Sequence, residues 1–194
     1  PGKKTVETAI EQDAEVTRLL AKAASAGTFD LEATETALRA AVLACGAGVL
    51  SDVLARVGSG RRAEPLMCCG QRMQSQGLQD KELLTLLGPA PWSRSGFACA
   101  KCGTVRYPGD EELDVVGTTR SPGVRRMMSR LGSKETFREG QEDLKLLAGI
   151  TVSAKDVERV AEKIGADSEA WQTKERAELM VPKEDVRYLK TIPV

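Results

Sequence analysis

The sequence contains no histidine and few aromatic residues, and each shortage excludes common chemistry. Histidine is the most frequent general base and a frequent metal ligand, and it is absent from all 194 residues. Catalysis by a serine–histidine or cysteine–histidine pair is therefore excluded within the chain, and any metal must be bound by thiolates or carboxylates. Two Trp, two Tyr and three Phe are few for a domain that binds single strands by stacking bases on aromatic rings.

Net charge and long apolar runs are lacking as well. The 28 basic and 28 acidic residues cancel, so the chain as a whole has no electrostatic preference for a polyanion. No apolar run approaches the roughly 18 residues of a membrane span, and no signal-peptide pattern is present. We therefore expect a cytoplasmic protein with no membrane partner.

Four of the five cysteines lie in two close clusters, each followed by glycine. Cys68 and Cys69 are adjacent, and Cys99 and Cys102 form a Cys-x-x-Cys pair. An odd count with two close clusters indicates a reduced metal site rather than a disulfide framework. A Cys-x-x-Cys-Gly turn directs both sulfurs and nearby N–H groups at one ion. A structural zinc ion is the expected cofactor.

The adjacent pair leaves the ligand set open, because neighbouring side chains do not easily converge on one tetrahedral ion. One arrangement uses all four thiols, Cys68, Cys69, Cys99 and Cys102. A second uses Cys69, Cys99 and Cys102 with a water molecule or a carboxylate. In a third, the segment has lost its metal and is held by packing alone. In both metal-bound arrangements the ion would be structural, since no catalytic base lies nearby in the sequence.

The chain divides into four segments by pattern. Residues 1–60 form an N-terminal helical region, residues 61–112 a zinc-ribbon-like module, and residues 113–181 a helix-turn-helix-like helical domain. Residues 182–194 are a linker with the start of a strand that enters a further domain. The predicted fold class is therefore mostly α with a small β zinc-ribbon-like hairpin, an α+β protein of several modules.

Two helices are predicted in the first segment. The first covers residues 4–25, and the second ends at Gly58–Gly60. The second carries apolar residues at three- and four-residue spacing: Leu38, Val42, Cys45, Val49, Val53 and Val57. This stripe predicts a face that points into the core, with Cys45 as a buried core thiol.

The second segment has two short runs, residues 82–87 and 92–98, separated by Gly88–Pro91. They are typical of two antiparallel strands, which would bring the two cysteine clusters together. An acidic run follows: Asp110, Glu111, Glu112 and Asp114. We interpret it as a solvated turn; divalent-ion binding in a stand-alone enzyme is the much weaker alternative.

The third segment reads as three helices. Ser121-Pro122-Gly123 is a helix start, and a second helix covers about residues 136–147 with Leu147 pointing inward. After a turn containing Gly149, Ser153 caps a third helix, with Asp156 three residues on as a near capping box. A helix, a short glycine turn and a capped helix are typical of the helix-turn-helix motif.

Basic residues concentrate in the third segment. Residues 120–138 contain six basic residues and a single acidic one, an asymmetry typical of a surface that contacts phosphates. Phosphate contacts are predicted for Arg120, Arg125, Arg126 and Arg130, and base-edge contacts for Lys155 and Arg159, with Lys163 exposed beside them. The predicted partner is double-stranded DNA. The alternative is a solvated surface of a purely structural helix bundle.

Several motifs occur in a characteristic order. They are Cys69-Gly-Gln-Arg-Met73, Leu83–Gly88, Arg94 before Phe97-x-Cys99-x-x-Cys102-Gly103, Tyr107-Pro-Gly-Asp110, Ser121-Pro-Gly123 and Val152–Val160. This order resembles the N-terminal region of bacterial insertion-sequence transposases of the ISKra type, over roughly residues 60–194. The usual family pattern separates the first two cysteines, whereas they are adjacent here.

The resemblance implies a zinc-ribbon-like module and a helical DNA-binding segment ahead of a DDE-type, RNase H-like catalytic domain. It implies a nucleoid-associated protein that recognises mobile-element ends. The chain stops at residues 192–194, about where the first catalytic strand would begin, so we expect no catalytic residues in it. The alternative is a protein-interaction or oligomerisation module with a structural zinc ribbon, favoured by the balanced charge; either reading is compatible with a homo-oligomer.

Overall fold

The computed structural model describes residues 7, 8, 10–62 and 64–180. The helices are α1 (Ala14–Ala26), α2 (Leu31–Val57), α3 (Pro108–Glu112), α4 (Pro122–Gly132), α5 (Phe137–Ala148) and α6 (Ala154–Met180). The strands are β1 (Met67–Cys68), β2 (Gln71–Arg72), β3 (Gln74–Thr85), β4 (Gly88–Ala98) and β5 (Val105–Arg106). The described residues are mostly α with two small antiparallel sheets, an α+β fold as predicted. The strand predicted within 182–194 lies outside the described residues.

Helices α1 and α2 form an antiparallel pair with a small core. The predicted helix over 4–25 is interrupted at Asp13, whose carboxylate accepts hydrogen bonds from the N–H groups of Glu15 and Val16 at 3.0 Å and so begins α1. The core between the helices consists of Val16, Leu19, Ala37 and Ala41. Small side chains on α2 let the two backbones approach closely.

The prediction that the apolar stripe of α2 faces the core holds for Leu38, which packs against the α1–α2 core, and is wrong for its four valines. Val42, Val49, Val53 and Val57 are 45%, 55%, 46% and 70% exposed. Cys45 is half-buried rather than a buried core thiol. The reason is that α2 has two partners on its other faces: Ala37 and Ala41 pack on α1, and Leu54 packs on the hairpin.

By length and composition alone, α2 is long and apolar enough to cross a membrane, and it is the one such helix among the residues described. This is weak evidence, because the core helix of a soluble protein meets the same criteria. Here Leu54 of α2 lies in a core with residues of the β-hairpin.

Strands β3 and β4 form a hairpin that is longer than predicted. Thr85 pairs with Gly88, so the turn lies at residues 86–87, and the predicted separator Gly88–Pro91 belongs to β4 itself. Pro89 and Pro91 are tolerated because β5 pairs only with the last two residues of β4, which leaves an open edge at the prolines.

Helix α2 and the segment after α3 cover one face of this hairpin. The core there consists of Leu54, Leu83, Ala90, Trp92 and Val115. The indole Nε1 of Trp92 donates to the carbonyl oxygen of Gly58 at 3.0 Å. A Cβ on Gly109 would lie 2.4 Å from that same oxygen, so the glycine of the Tyr-Pro-Gly-Asp motif permits the close approach of two backbones.

Helices α4, α5 and α6 form a bundle around a third core, made of Val124, Met128, Leu144, Ile150, Val152 and Val157. The three helix starts are where the sequence predicts them. Ser121 caps α4, Thr136 forms a capping box with Glu139 at α5, and Ser153 exchanges hydrogen bonds with Asp156 at α6. The inward position predicted for Leu147 is wrong, since it is 64% exposed.

The bundle is fastened to the hairpin by its first residues. The N–H of Leu84 donates to the carbonyl of Thr119 at 2.8 Å, and the N–H of Ser121 donates to the carbonyl of Leu84 at 3.0 Å. Leu84 and Arg120 form a parallel bridge between these two bonds. As a result, Arg120 is held beside β3, close to the N-terminus of α6.

Candidate metal site and basic surface

The two cysteine clusters meet at the end of the hairpin. Cys68 and Cys69 lie at the turn between β1 and β2, and Cys99 and Cys102 lie in the turn between β4 and β5. All four Sγ atoms lie within 4.8 Å of one another. The four thiols that the sequence predicts as ligands are therefore brought together, and the cluster could hold a metal ion.

The left-handed backbone conformation of Cys69 allows the two adjacent cysteines to direct their sulfurs at one site. Cys68 pairs with Gln71 across a two-residue turn, in which Cys69 has φ 51° and Gly70 has φ 77°. Positive φ at both central positions is the geometry of a type I′ turn. This turn directs the Cys69 side chain toward that of Cys68, and the two Sγ atoms lie 3.8 Å apart.

The second cluster is the regular one. Cys99 is buried, and its carbonyl accepts a hydrogen bond from the N–H of Gly103 at 2.9 Å, which closes the Cys-x-x-Cys turn. The amide Nε2 of Gln71, from the opposite turn, donates to the Cys99 sulfur at 3.8 Å. The Sγ atoms of Cys102 and Cys68 lie 3.7 Å apart.

Two of the sulfur–sulfur distances in the cluster match a tetrahedral site. With zinc–sulfur bonds of about 2.3 Å, the sulfurs of a tetrahedron lie about 3.8 Å apart. The two sulfur–sulfur distances from Cys68, to Cys69 and to Cys102, are 3.8 and 3.7 Å. The cluster is thus compatible with zinc and with use of all four thiols.

The thiols fall into two pairs by acidity. The pKa of Cys102 is lowered to about 6, and the main cause is a hydrogen bond from the Thr104 hydroxyl to the thiolate. The pKa of Cys99 is lowered mainly because the backbone N–H of Cys102 donates to its sulfur. A hydrogen bond shared with Cys102 raises the pKa of Cys68 to about 12 and raises that of Cys69 too. A soft divalent ion would displace the remaining protons from such a cluster.

The prediction of a solvated acidic turn at 110–114 is wrong for Asp110, whereas Glu111, Glu112 and Asp114 are exposed. Asp110 is buried and pairs with Lys81 at 2.8 Å and with Arg94 at 2.7 Å. The other three carboxylates pair as well: Glu111 with Arg106, Glu112 with Arg62 and Asp114 with Arg125. The carboxylates of the acidic run form ion pairs with cations, including those of the hairpin and of α4.

Two of the predicted phosphate contacts are engaged within the protein. Arg125 is partly buried and pairs with Asp114 at 2.6 Å. Arg120 pairs at 3.1 Å with Asp156, the residue that also closes the cap of α6. These pairs orient the two arginines.

Arg126 and Arg130 are exposed on α4. Together with Arg39 of α2, they line an apolar groove of about 480 Å³ that Leu86, Met127 and Leu147 also line. This groove is separate from the one that Arg120 lines. The structure therefore does not gather all seven predicted cations at one groove.

Lys155, Arg159 and Lys163 are exposed on α6. Their four-residue spacing places them on one face of the helix, away from the buried Val157. Lys155 pairs with Glu158 at 2.8 Å on the surface, and Arg159 lies 3.8 Å from Asp156. Exposed pairs of this kind are weak and are readily exchanged for a stronger anion.

A basic groove runs from this face to the hairpin, and sequence reasoning missed half of it. The groove has a volume of about 440 Å³, and Lys81, Arg94, Arg120 and Arg159 line it with the carboxylates of Asp110 and Asp156. With four cations and two carboxylates, the residues that line the groove carry a net positive charge. Lys81 and Arg94 carried no signal of their own, since they lie on strands far from the basic segment.

Comparison with known proteins adds no relative. No model of a known protein family matches the chain, and a search of curated proteins returns no match. The fold and the thiol cluster define the class by themselves: an α+β protein with a candidate four-cysteine metal site at the end of a β-hairpin.

Proposed function

We propose that the chain is a DNA-binding, non-catalytic part of a bacterial transposase, and that it recognises the ends of a mobile element. The observation that carries this proposal is the exposed basic face of α6, formed by Lys155, Arg159 and Lys163. The order of motifs over residues 60–194 supports the transposase assignment, and the basic face supports DNA as the partner.

The dimensions of the face suit the DNA major groove. An α-helix with its side chains is about 10–12 Å in diameter, and the groove is about 12 Å wide and admits one α-helix. The three cations extend over about 12 Å along the helix axis. The cap at Ser153 and Asp156 fixes the N-terminus of α6. Arg120 lies beside that end of the helix, where it would contact a flanking phosphate.

The four-cysteine cluster binds a structural zinc ion in this proposal. The sulfur spacing matches a tetrahedral zinc site, and the ribbon has little other core, because β1, β2 and β5 have two residues each. A bound ion fastens the two turns to each other and completes the hairpin end. We expect about one zinc per chain by elemental analysis, and less than about 0.3 equivalents in protein purified without chelator would contradict this assignment.

The proposal assigns no catalysis to this chain. Without histidine, a general base would have to be a carboxylate, a lysine or a thiol. The carboxylates of the acidic run are each paired with a cation. We therefore propose a cytoplasmic, nucleoid-associated protein whose strand-transfer chemistry resides elsewhere.

The decisive experiment is a selection from random duplex DNA, with the recovered pool titrated against salt. We expect an enriched motif and a steep fall of affinity with salt, since each released counterion contributes to the slope. An absence of both enrichment and salt dependence would exclude DNA recognition by this chain.

A second candidate function is a protein-interaction module, favoured by the exposed valines of α2. In that case the three-helix bundle has only a structural role. A salt-insensitive oligomer without affinity for duplex DNA is the result that would support this candidate over the first.

A further inference from the structure

Helix α2 presents an apolar surface that nothing in the described part of the chain covers. We define the valine stripe as Val42, Val49, Val53 and Val57, each 45% or more exposed. At about 100° per residue, the four valines lie within an arc of about 80° on the helix. Scattered exposed valines are ordinary, whereas four aligned on one helix mark an interaction surface.

The core contacts of α2 lie on its other sides, and within the arc of the stripe Leu87 of the β3–β4 turn packs beside Gly46, where a Cβ would lie 3.4 Å from it. Ala37 and Ala41 face α1, and Leu54 faces the hairpin. A small shift of α1 or of the hairpin would therefore not cover the valine stripe. A partner must approach from outside this packing, along about 33 Å of helix between Glu35 and Arg56.

We propose that the valine stripe binds a second copy of this chain as an antiparallel α2–α2 pair. The argument is that the stripe complements itself. If the two-fold axis passes between Cys45 and Gly46, Val42 of one copy lies opposite Val49 of the other, and Leu38 lies opposite Val53. Apolar residues then meet along the central part of the pair, with Leu38 contributing the part of its side chain that the α1–α2 core leaves free, and Val57 lies beyond this part opposite Thr34.

The same register pairs the charges. Glu35 lies on the stripe side of α2 near its beginning, and Arg56 lies on that side near its end; both side chains are exposed. In the antiparallel pair, each Glu35 meets the Arg56 of the other copy, once at each end. A parallel pair would instead place like charges beside each other, which disfavours that arrangement.

The size of the α2–α2 interface determines the expected affinity of the dimer. A single helix pair of this length lies at the low end of specific interfaces, so we expect a reversible dimer with a Kd on the order of micromolar. The test is sedimentation velocity of the whole chain without DNA, at about 1 to 200 µM. Because DNA is absent, the result is independent of the proposed DNA binding.

Val49→Asp places a carboxylate opposite Val42 of the second copy, and we expect at least about tenfold weaker dimerisation. Val116→Asp is the matched control, because Val116 is similarly exposed but lies outside α2. Circular dichroism of each variant establishes that it is folded. A monomer at every concentration, or a dimer that Val49→Asp leaves unchanged, would overturn the proposal.

Exchange of the terminal charges tests the antiparallel register. Glu35→Arg or Arg56→Glu alone puts like charges opposite each other and should weaken the dimer several-fold, whereas the double variant should restore it. A dimer whose affinity ignores all three variants would refute this register. Binding of the chain to phosphatidylcholine–phosphatidylglycerol vesicles, lost with Val49→Asp and without any dimer, would assign the stripe to a lipid surface instead.

Discussion

The β-hairpin and helix α6 both carry cations, but in opposite settings. On the hairpin, Lys81 and Arg94 have 9% and 12% exposed side chains and share the buried carboxylate of Asp110. On α6, the side chain of Arg159 is 73% exposed and lies 3.8 Å from its nearest carboxylate. The difference teaches that a basic residue indicates a binding surface only when the fold leaves it without a strong internal partner.

The comparison also separates cations within the basic segment 120–138. Arg125 belongs with the hairpin cations, since it is partly buried and paired with Asp114. Arg126 and Arg130 of α4 resemble the cations of α6, because both are exposed. Counting charges within the segment cannot make this distinction, since the carboxylate that pairs with Arg125 belongs to the acidic run before the segment.

The largest effect is expected on the hairpin side. Asp110→Asn leaves two buried cations without a counter-charge, and we expect a loss of about 3–5 kcal/mol in the free energy of unfolding, measured by urea denaturation. Glu142→Gln is the control, because Glu142 pairs with Arg138 on the surface, and it should cost less than about 0.5 kcal/mol. Equal costs for the two variants would show that the buried pairs do not stabilise the hairpin.

Loss of a thiol from the candidate metal site should come next. Cys99→Ser removes the buried thiol of the cluster, and we expect bound zinc to fall from about one equivalent to near zero and Tm to fall by about 5–10 °C. Cys45→Ser, outside the cluster, should alter neither quantity. If Cys99→Ser lowers Tm equally in protein stripped of metal by a chelator, the thiol stabilises the ribbon by packing rather than by ligation.

On α6 the expected loss concerns affinity instead of stability. The triple variant Lys155→Ala, Arg159→Ala and Lys163→Ala should weaken binding to the selected duplex by about 10–100-fold and lower the salt slope by about 2 to 3. Its urea denaturation should be almost unchanged, since the three side chains are exposed. Fluorescence anisotropy across a salt series measures both affinity and slope.

Arg138→Ala is the control for that variant, because Arg138 is 85% exposed but lies on α5. Should Arg126→Ala with Arg130→Ala abolish binding while the α6 variant retains it, the DNA lies against the α4 side of the bundle instead.

The smallest effect is expected where the two regions meet, at Asp156. Burial would raise the pKa of this carboxyl, but the hydrogen bond with Ser153 and the charge of Arg120 outweigh burial and hold the pKa below its ordinary 3.8. Because the pKa is depressed in the folded state, the stabilisation is complete above pH 3.8 and is lost as the pH falls through the folded value. Asp156→Asn should therefore cost about 1 kcal/mol at pH 7 and progressively less below about pH 4. A cost that does not change with pH would assign the effect to packing.

The sequence predicts local structure well in the bundle. Ser121, Thr136 and Ser153 begin three helices at the expected places, because a capping hydroxyl satisfies backbone N–H groups within its own turn. The cysteine clusters are found equally well, since two short motifs at the ends of a hairpin need only that hairpin to meet. In each case the information lies within a few residues.

Prediction fails where a residue's environment depends on distant segments. The sequence predicts a solvated Asp110 because nothing near it in the chain shows that Lys81 and Arg94 approach from the hairpin. The valines of α2 read as core because their spacing is that of a buried face, whereas α1 and the hairpin occupy other faces. Spacing identifies which residues share a face, and it does not identify what the face meets.

By itself, then, the sequence determined the α+β class, the helix starts and the set of four thiols, because these depend on caps, turns and short motifs. Only the tertiary structure decided how the adjacent cysteines converge, which cations are neutralised and which apolar face of α2 stays exposed. These outcomes depend on contacts between segments far apart in the chain, and pairing and burial are properties of such contacts.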